Sequence, residues 1–413
     1  MKSRAADKPR QDYVDSLRGL AVLVMVCWHT ASGWLEPELQ QGFVWANLLA
    51  LGGLAAPLFL LIVGVSIQLR FSSEASAPKQ PFSVHGALVK RGAFILLLGY
   101  LLRFQMWFID VSIASRPRTW KFYLPILLAF ALALTGLSKK SKSSKQIFLY
   151  LGFAIFFFFH GYARLYAFYP HRLYPLLRVD ILQTIGLSLI LIGSVHQLRS
   201  SITLSLGIAS LLLLIAPFSN NVLPGFLPEP IAAYLGHWSE QNQHASLAMF
   251  PISPWFAYVL LGLVLGNWWR NPKTKAMSLA CIAGLFLAYV ISEDRRFIYN
   301  LLQVAPNLIE VIRALHRLAW ALALGGFLYL ADLFLPKTTF VLRRFGKSSL
   351  LVYWLHLSFA FGKGARLFKP VLSYQDWLEK ALLLTLILLA LAIAKQELSR
   401  HFARARRKTS KAS

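Results

Sequence analysis

The sequence predicts an all-α fold, a polytopic transmembrane bundle of about ten to twelve spans. Three observations carry that expectation. Hydrophobic residues make up 57% of the chain and charged residues 15%, whereas soluble domains are closer to a quarter charged. The mean hydropathy is +0.54. The apolar residues also gather into runs close to the length that crosses a hydrocarbon core, with short basic loops between them.

The first run is the most informative. Asp15 and Arg18 are three apart at its start, so they share one helix face, with Asp15 placed to cap the helix and pair with Arg18. His29 follows eleven residues later, a rise of about 16 Å. One helix thus carries a charged pair near one membrane face and an imidazole near the other. Ionisable groups within a span are costly, which makes each a functional candidate.

The expected span cores are residues 17–34, 49–69, 88–108, 122–137, 147–162, 181–195, 202–218, 254–269, 276–291, 312–334, 349–361 and 381–394. The eleventh is short for an independent span. Basic residues precede the first core and follow the second, fourth, eighth, tenth and twelfth: Lys2, Arg4, Lys8 and Arg10; Arg70, Lys79, Lys90 and Arg91; Lys139 to Lys145; Arg270, Lys273 and Lys275; Lys337, Arg343, Arg344 and Lys347; and the tail from Arg400 to Lys411. By the positive-inside rule these mark the cytoplasm, with both termini inside. The expected organisation is a cytoplasmic segment 1–13, one membrane domain 14–396 and a basic tail 397–413. Two outside loops break the charge rule. One holds Arg103, Arg116, Arg118 and Lys121; the other holds Arg164, His171, Arg172, Arg178 and Asp180. They read either as snorkelling cations or as a surface for an anionic or polyhydroxylated substrate. The long outside loop 219–253, with His237 and His244, has the character of a cap.

The formal charge of +26 is spread through membrane loops, with no basic-aromatic platform, which excludes nucleic acid as a partner. Cys27 and Cys281 both lie inside apolar runs, against a disulfide framework or thiolate metal site. No metal-ligand spacing, Walker loop, dinucleotide fingerprint or serine elbow is present, so no metal is expected. Chemistry is left to histidine and arginine. A neutral His29 can take and return a proton near neutral pH. His356 shares a face with Tyr353, which allows a hydrogen-bonded pair or a structural role. Arg18, with Lys90, Arg91, Arg343 and Arg344 at the same face, suits the phosphates of a nucleotide-bearing group. Arg313, His316 and Arg317 repel one another unless Glu310, Asp180 or a substrate answers them. Pro57 and Pro254, with Gly64, Gly262 and Gly266, signal bent and closely packed helices.

Five motifs in order resemble a known family. They are Asp15-Ser-Leu-Arg-Gly-Leu-Ala-Val-Leu-Val-Met with His29, Ala56-Pro-Leu-Phe-Leu-Leu-Ile-Val-Gly-Val-Ser66, Arg178-Val-Asp-Ile-Leu-Gln-Thr-Ile-Gly186, Phe250-Pro-Ile-Ser-Pro-Trp-Phe-Ala-Tyr-Val-Leu-Leu-Gly262, and Ser349-Leu-Leu-Val-Tyr-Trp-Leu-His356. The series is similar to bacterial relatives of heparan-α-glucosaminide N-acetyltransferase, within the wider acyltransferase-3-like membrane proteins. The resemblance implies transfer of an acetyl or other acyl group from a cytoplasmic acyl-CoA to a sugar amine or hydroxyl on the far side. His29 and His356 are then the expected catalytic residues. Arg18, Lys90 and Arg91 would meet the donor, and Arg178, Asp180 and Arg317 the acceptor. The lysosomal enzyme has its working histidine in the loop after the first span, where residues 31–48 here hold none; His29 follows the bacterial pattern instead. Expected partners are acyl-CoA, a sugar or glycan and membrane lipids, with a homodimer left open. The expected location is a bacterial inner membrane. A transporter or glycan/lipid flippase with a midplane polar site is the alternative.

Overall fold

The computed structural model describes residues 12–74, 81–114, 174–222, 227, 229–236, 248–270, 273–293, 300, 303–305, 308–361 and 372–412. The expected cores 122–137 and 147–162 lie outside the described residues, as do Arg116, Arg118, Lys121, Arg164, His171, Arg172, His237 and His244.

The fold is an all-α bundle. Its main helices are α1 (Asp12–Trp34), α2 (Gly42–Glu74), α3 (Pro81–Ala114), α4 (Ile181–Ser194), α5 (Ile202–Val222), α6 (Ile252–Trp268), α7 (Thr274–Glu293), α8 (Ile309–Phe334), α9 (Phe340–Lys347), α10 (Ser349–Ala360) and α11 (Tyr374–Ala412). Of the described helices, α1, α2, α7, α8 and α11 are long and apolar enough by themselves to cross a membrane. Together with the composition, they make this an integral membrane protein. The short eleventh core is α10, twelve residues long. A bilayer crossing needs about 20, so α10 is a half-length helix enclosed by its neighbours: Val352, His356 and Ala360 are almost completely buried.

Helix α1 is the hub, packing against α2, α8, α9, α10 and α11. It begins at Asp12, which places Asp15 within the first turn and corrects its expected role as the cap. The Asp15–Arg18 ion pair forms at 3.0 Å. Acidic side chains in a first turn also suit the positive end of the helix dipole. The same end is tied to α8 and α9: Ser16 donates to the Asp332 carboxylate at 3.0 Å, and Arg343 pairs with Asp12 at 2.7 Å. Glycine permits the approach of α9. A Cβ at Gly346 would lie 1.9 Å from the Asp15 carbonyl oxygen. At the other end, the Leu372 amide donates to the Trp34 carbonyl at 2.9 Å and the Glu36 amide to Leu372 at 3.2 Å. Trp377 donates to Thr30 at 3.2 Å. Both ends of α1 are thereby fixed, and His29 has a rigid mount.

Helices α2 and α6 cross where Gly64 faces Gly262. In a membrane, close backbone approach between small residues supplies the packing that hydrophobicity cannot. A Cβ on Gly64 would stand 2.1 Å from the Val259 carbonyl oxygen, whereas one on Gly53 would meet nothing within 4 Å. Gly64→Val should therefore destabilise the bundle by about 1–3 kcal/mol or more through overpacking. Gly53→Ala should not. Thermal melting in detergent, with a lower midpoint for the first variant alone, checks this.

Candidate active site

His29 projects from the far half of α1 and His356 from α10. The two rings lie within 5° of parallel, with His29 Nδ1 and His356 Nε2 2.9 Å apart and centroids 5.2 Å apart. A centroid spacing this much longer than the nitrogen–nitrogen distance means the rings meet edge to edge in one plane, which is hydrogen-bond geometry. His356 is fully buried and its Nδ1 lies 2.9 Å from the Val352 carbonyl oxygen. That oxygen can only accept, so Nδ1 of His356 carries the hydrogen and Nε2 of the neutral ring is bare. Nδ1 of His29 must then donate to it. The consequence is chemical: His29 keeps a lone pair on Nε2. The Phe361 ring stands edge-on to His29 at 5.0 Å.

Of the two readings of His356, the hydrogen bond to Tyr353 does not form. Tyr353 touches His356 edge-on, with centroids 5.6 Å apart, while the hydrogen bonds of His356 go to His29 and Val352.

On the other side of Tyr353 opens a cavity of about 370 Å³, within the size range of small-molecule sites. Arg18, Arg70, Arg91, Lys347 and Lys395 stand around it, each on a different helix, α1, α2, α3, α9 and α11. Its walls are apolar, from Phe59, Val63, Ile67, Leu88, Ile95 and Ile185, and Tyr353 lines it too. The lining does not include His29 or His356. Tyr353, which lines the cavity and meets the His356 ring edge-on, is a contact between the cavity and the histidine pair. Arg18 is held in place, pairing with Asp15 and donating to Ser66 at 2.7 Å.

The cations around this cavity differ from the set singled out by loop position. Arg91 lines it; Lys90, one residue earlier, is exposed and absent from the lining. Arg343 is engaged by Asp12, and Arg344 donates to Gln396 at 2.9 Å. Arg70, Lys347 and Lys395 take their place. Lys347 was visible only as part of a basic loop. Lys395 gave no local signal, because only the fold brings the last helix to the first.

The residues expected to meet an acceptor separate into two places. Asp180 is ion-paired with Arg103, and Arg178 and Tyr353 lie within electrostatic reach of that pair. The segment from Arg178 to Asp180 is extended and pinned by the Val179–Ala248 bridge and by the Phe250 amide donating to Val179 at 3.1 Å. Arg317 instead donates to Tyr258 at 2.7 Å and lies over the Trp255 and Tyr258 rings. Its neighbours are answered locally: Arg313 by Glu310 at 2.6 Å, and His316 by Ser292 and Trp320. Among the described residues no group of histidine, cysteine and carboxylate side chains has the arrangement of a metal site.

The profile of the heparan-alpha-glucosaminide N-acetyltransferase catalytic family matches residues 10–304, well over half of the chain. The chain belongs to that family. The match takes in α1 with His29, the Arg178–Gly186 motif and α6. It stops before α10, so His356 is attached to the family region by the fold. No curated protein matched the chain. Membership makes this an integral membrane transferase of the acetyltransferase class.

Proposed function

We propose that the protein moves an acetyl or other acyl group from acyl-CoA to an amine or hydroxyl of a sugar, with His29 as the general base. One arrangement carries this reading. A histidine whose Nε2 lone pair is fixed by a second histidine is linked through that second ring to Tyr353, which lines a cavity whose other lining residues include five cations.

The cations suit the phosphates of the donor, since charge-assisted hydrogen bonds to phosphate are the strong ones. The apolar walls suit the pantetheine arm. The thioester would then come up against Tyr353, and a shift of that ring joins the cavity to His29. As the acceptor nitrogen or oxygen attacks the thioester carbonyl, Nε2 of His29 takes its proton. The carbon–sulfur bond breaks, and the proton passes from His29 to the leaving thiolate. His29 returns to its starting state and the acyl group resides on the sugar. His356 is a positioning residue throughout, accepting from Nδ1 and stabilising the imidazolium while it lasts.

The positive-inside pattern supports a cytoplasmic position for the cationic face, both termini inside, and an acceptor arriving from the opposite side. A bacterial cytoplasmic membrane is the compartment this reading implies. The decisive experiment supplies labelled acetyl-CoA and glucosamine to the purified protein in nanodiscs. Label appearing on the sugar is the expected result. No label on any amino or hydroxy sugar tried, with acetyl-CoA left intact, would remove the reading.

The donor assignment has its own test. Arg91→Glu places a negative charge beside the phosphates and should raise the KM for acetyl-CoA about tenfold or more, the equivalent of about 1.4 kcal/mol. The KM for S-acetyl-pantetheine, which lacks those phosphates, should stay the same. Equal effects on both donors would place the phosphates elsewhere.

A further inference from the structure

Helix α11 does not end where its apolar run ends. The run 381–394 holds 14 residues, a rise of about 21 Å against a hydrocarbon core of about 30 Å. A run that short has no length to spare for tilt, so the helix crosses close to the bilayer normal. It then continues unbroken to Ala412, with no glycine or proline from Tyr374 onward to interrupt it. Residues 398–412 thus form a helical extension about 22 Å long. The headgroup layer on one side of a bilayer is only about 5–8 Å deep, so the outer turns of the extension clear it.

The extension is charged with one sign. It carries Arg400, Arg404, Arg406, Arg407, Lys408 and Lys411, and no acidic residue follows Glu397. Glu397 is paired with Arg344 at 3.3 Å and with Arg400 at 2.6 Å. Arg400, Arg404, Arg407 and Lys411 recur at steps of four, three and four, which sets them along one face of a helix. Like charges four apart repel one another, and Arg400 with Arg404, Arg404 with Lys408, and Arg407 with Lys411 stand at that spacing. The positive-inside rule accounts for basic residues close to the end of a span. It does not account for a row of them carried outward on a helix against their own repulsion.

The root of the extension lies at the cavity. Lys395 is one of the cavity's lining residues. Its neighbour Gln396 donates to the Arg344 carbonyl at 2.9 Å and to Ser348 Oγ at 2.8 Å, and accepts from the Arg344 guanidinium at 2.9 Å. These bonds hold α11 to α9, which supplies Lys347 to the same cavity. The row of cations therefore starts at the cavity and keeps a fixed bearing to it.

We infer that the extension of α11 is an electrostatic collector: it draws a soluble, phosphate-bearing acyl donor toward the cavity at its root and speeds its association. The inference rests on the donor reading of that cavity, but the rate it concerns is measurable without any transfer. A positive field beside a site raises the association rate of an anionic ligand tenfold or more, and salt removes the gain. Lipid headgroups are the other anions nearby. A helix leaving along the bilayer normal keeps only its first turns among them, which favours the soluble ligand.

The test uses the purified full chain in nanodiscs of neutral lipid, with coenzyme A and S-acetyl-pantetheine as probes. Association and dissociation rates are measured by stopped flow for the wild type and for a variant with Arg404→Gln, Arg406→Gln, Arg407→Gln, Lys408→Gln and Lys411→Gln. Glutamine keeps the helix propensity and removes the charge. At about 0.01 M salt, where the screening length is about 30 Å, the variant should bind coenzyme A about tenfold more slowly. Its dissociation rate should stay within about twofold of the wild type, because the substituted residues lie away from the cavity. At about 1 M salt, where the screening length is about 3 Å, the two proteins should associate at the same rate. S-acetyl-pantetheine, which has no phosphate, should show no difference at either salt. The ratio of wild type to variant should persist in nanodiscs rich in phosphatidylserine. An unchanged melting temperature checks the fold; if the variant fails it, Arg407→Gln with Lys411→Gln at the tip should still slow coenzyme A by about threefold.

Equal association rates at low salt, a change confined to dissociation, or an equal effect on the uncharged probe would each overturn the inference. Loss of the ratio in phosphatidylserine would give the cations to the headgroups and overturn it as well. Any of these together with acetylation of a sugar would leave the transferase reading standing. Slower coenzyme A association in the variant, with no acetylation by the wild type, would leave the collector and remove the transferase.

Discussion

His29→Ala is expected to lower kcat for acyl transfer by about 10²–10⁴-fold, while the protein still folds, inserts and binds acyl-CoA. The size of the loss follows from where His29 sits. Its Nε2 is the bare nitrogen of the relay, and no second base stands in its place: His356 is occupied by His29 and Val352. The fold should tolerate the change. The ring contacts Phe361 and His356 and is only half-buried. Helix α1 is meanwhile fixed at both ends by other residues, through Asp12, Ser16, Thr30 and Trp34. Turnover and donor binding measured on the same preparation separate chemistry from folding. Full transfer by the alanine variant would take His29 out of the mechanism.

The second large effect is expected at His356, and its value lies in a split between two variants. With asparagine at 356 the acceptor for His29 Nδ1 is withdrawn, and the ring is free to turn or to carry its hydrogen on Nε2, the wrong nitrogen. Losing the tautomer in this way lowers kcat by about 10⁴-fold in the serine-protease triad. The pair here is a weaker orienter than a carboxylate, so about 10²-fold is expected for His356→Asn. His356→Gln is longer by one carbon, and its amide oxygen can reach Nδ1 of His29. It should recover part of that loss. In both variants the KM for acyl-CoA should be little changed, because His356 does not line the cavity. A purely structural His356 predicts the opposite pattern: equal losses in the two variants, together with a lower melting temperature.

Several features of this protein were legible in residue order alone. Composition and run length announced a membrane bundle, because the transfer free energy of each side chain into hydrocarbon is a local property. His29 stood out for the same reason: an imidazole within an apolar run is an anomaly that needs no structure to see. The Asp15–Arg18 pair followed from helical spacing, since residues three apart share a face wherever the helix goes. The close packing at Gly64 and Gly262 was similarly foreshadowed by small residues within apolar runs.

The pairing between helices was not legible. His29 and His356 are 327 positions apart, and nothing in either run states which faces meet or at what height. The same limit explains the cations. Arg343 and Arg344 looked as free for phosphate as Arg91 does, until the fold gave them Asp12, Gln396 and Glu397 as partners. Lys395 joined the cavity from the opposite end of the chain. Asp180 went to Arg103. Helix propensity and hydrophobic transfer act residue by residue, so the chain by itself determined that this is a membrane bundle and that His29 is out of place. Register and rotation between helices are set jointly by all the packed faces, and by glycine seams in particular. Only the tertiary structure decided which ring nitrogen of His29 is left bare, which cations surround the cavity and which carboxylate answers Arg103.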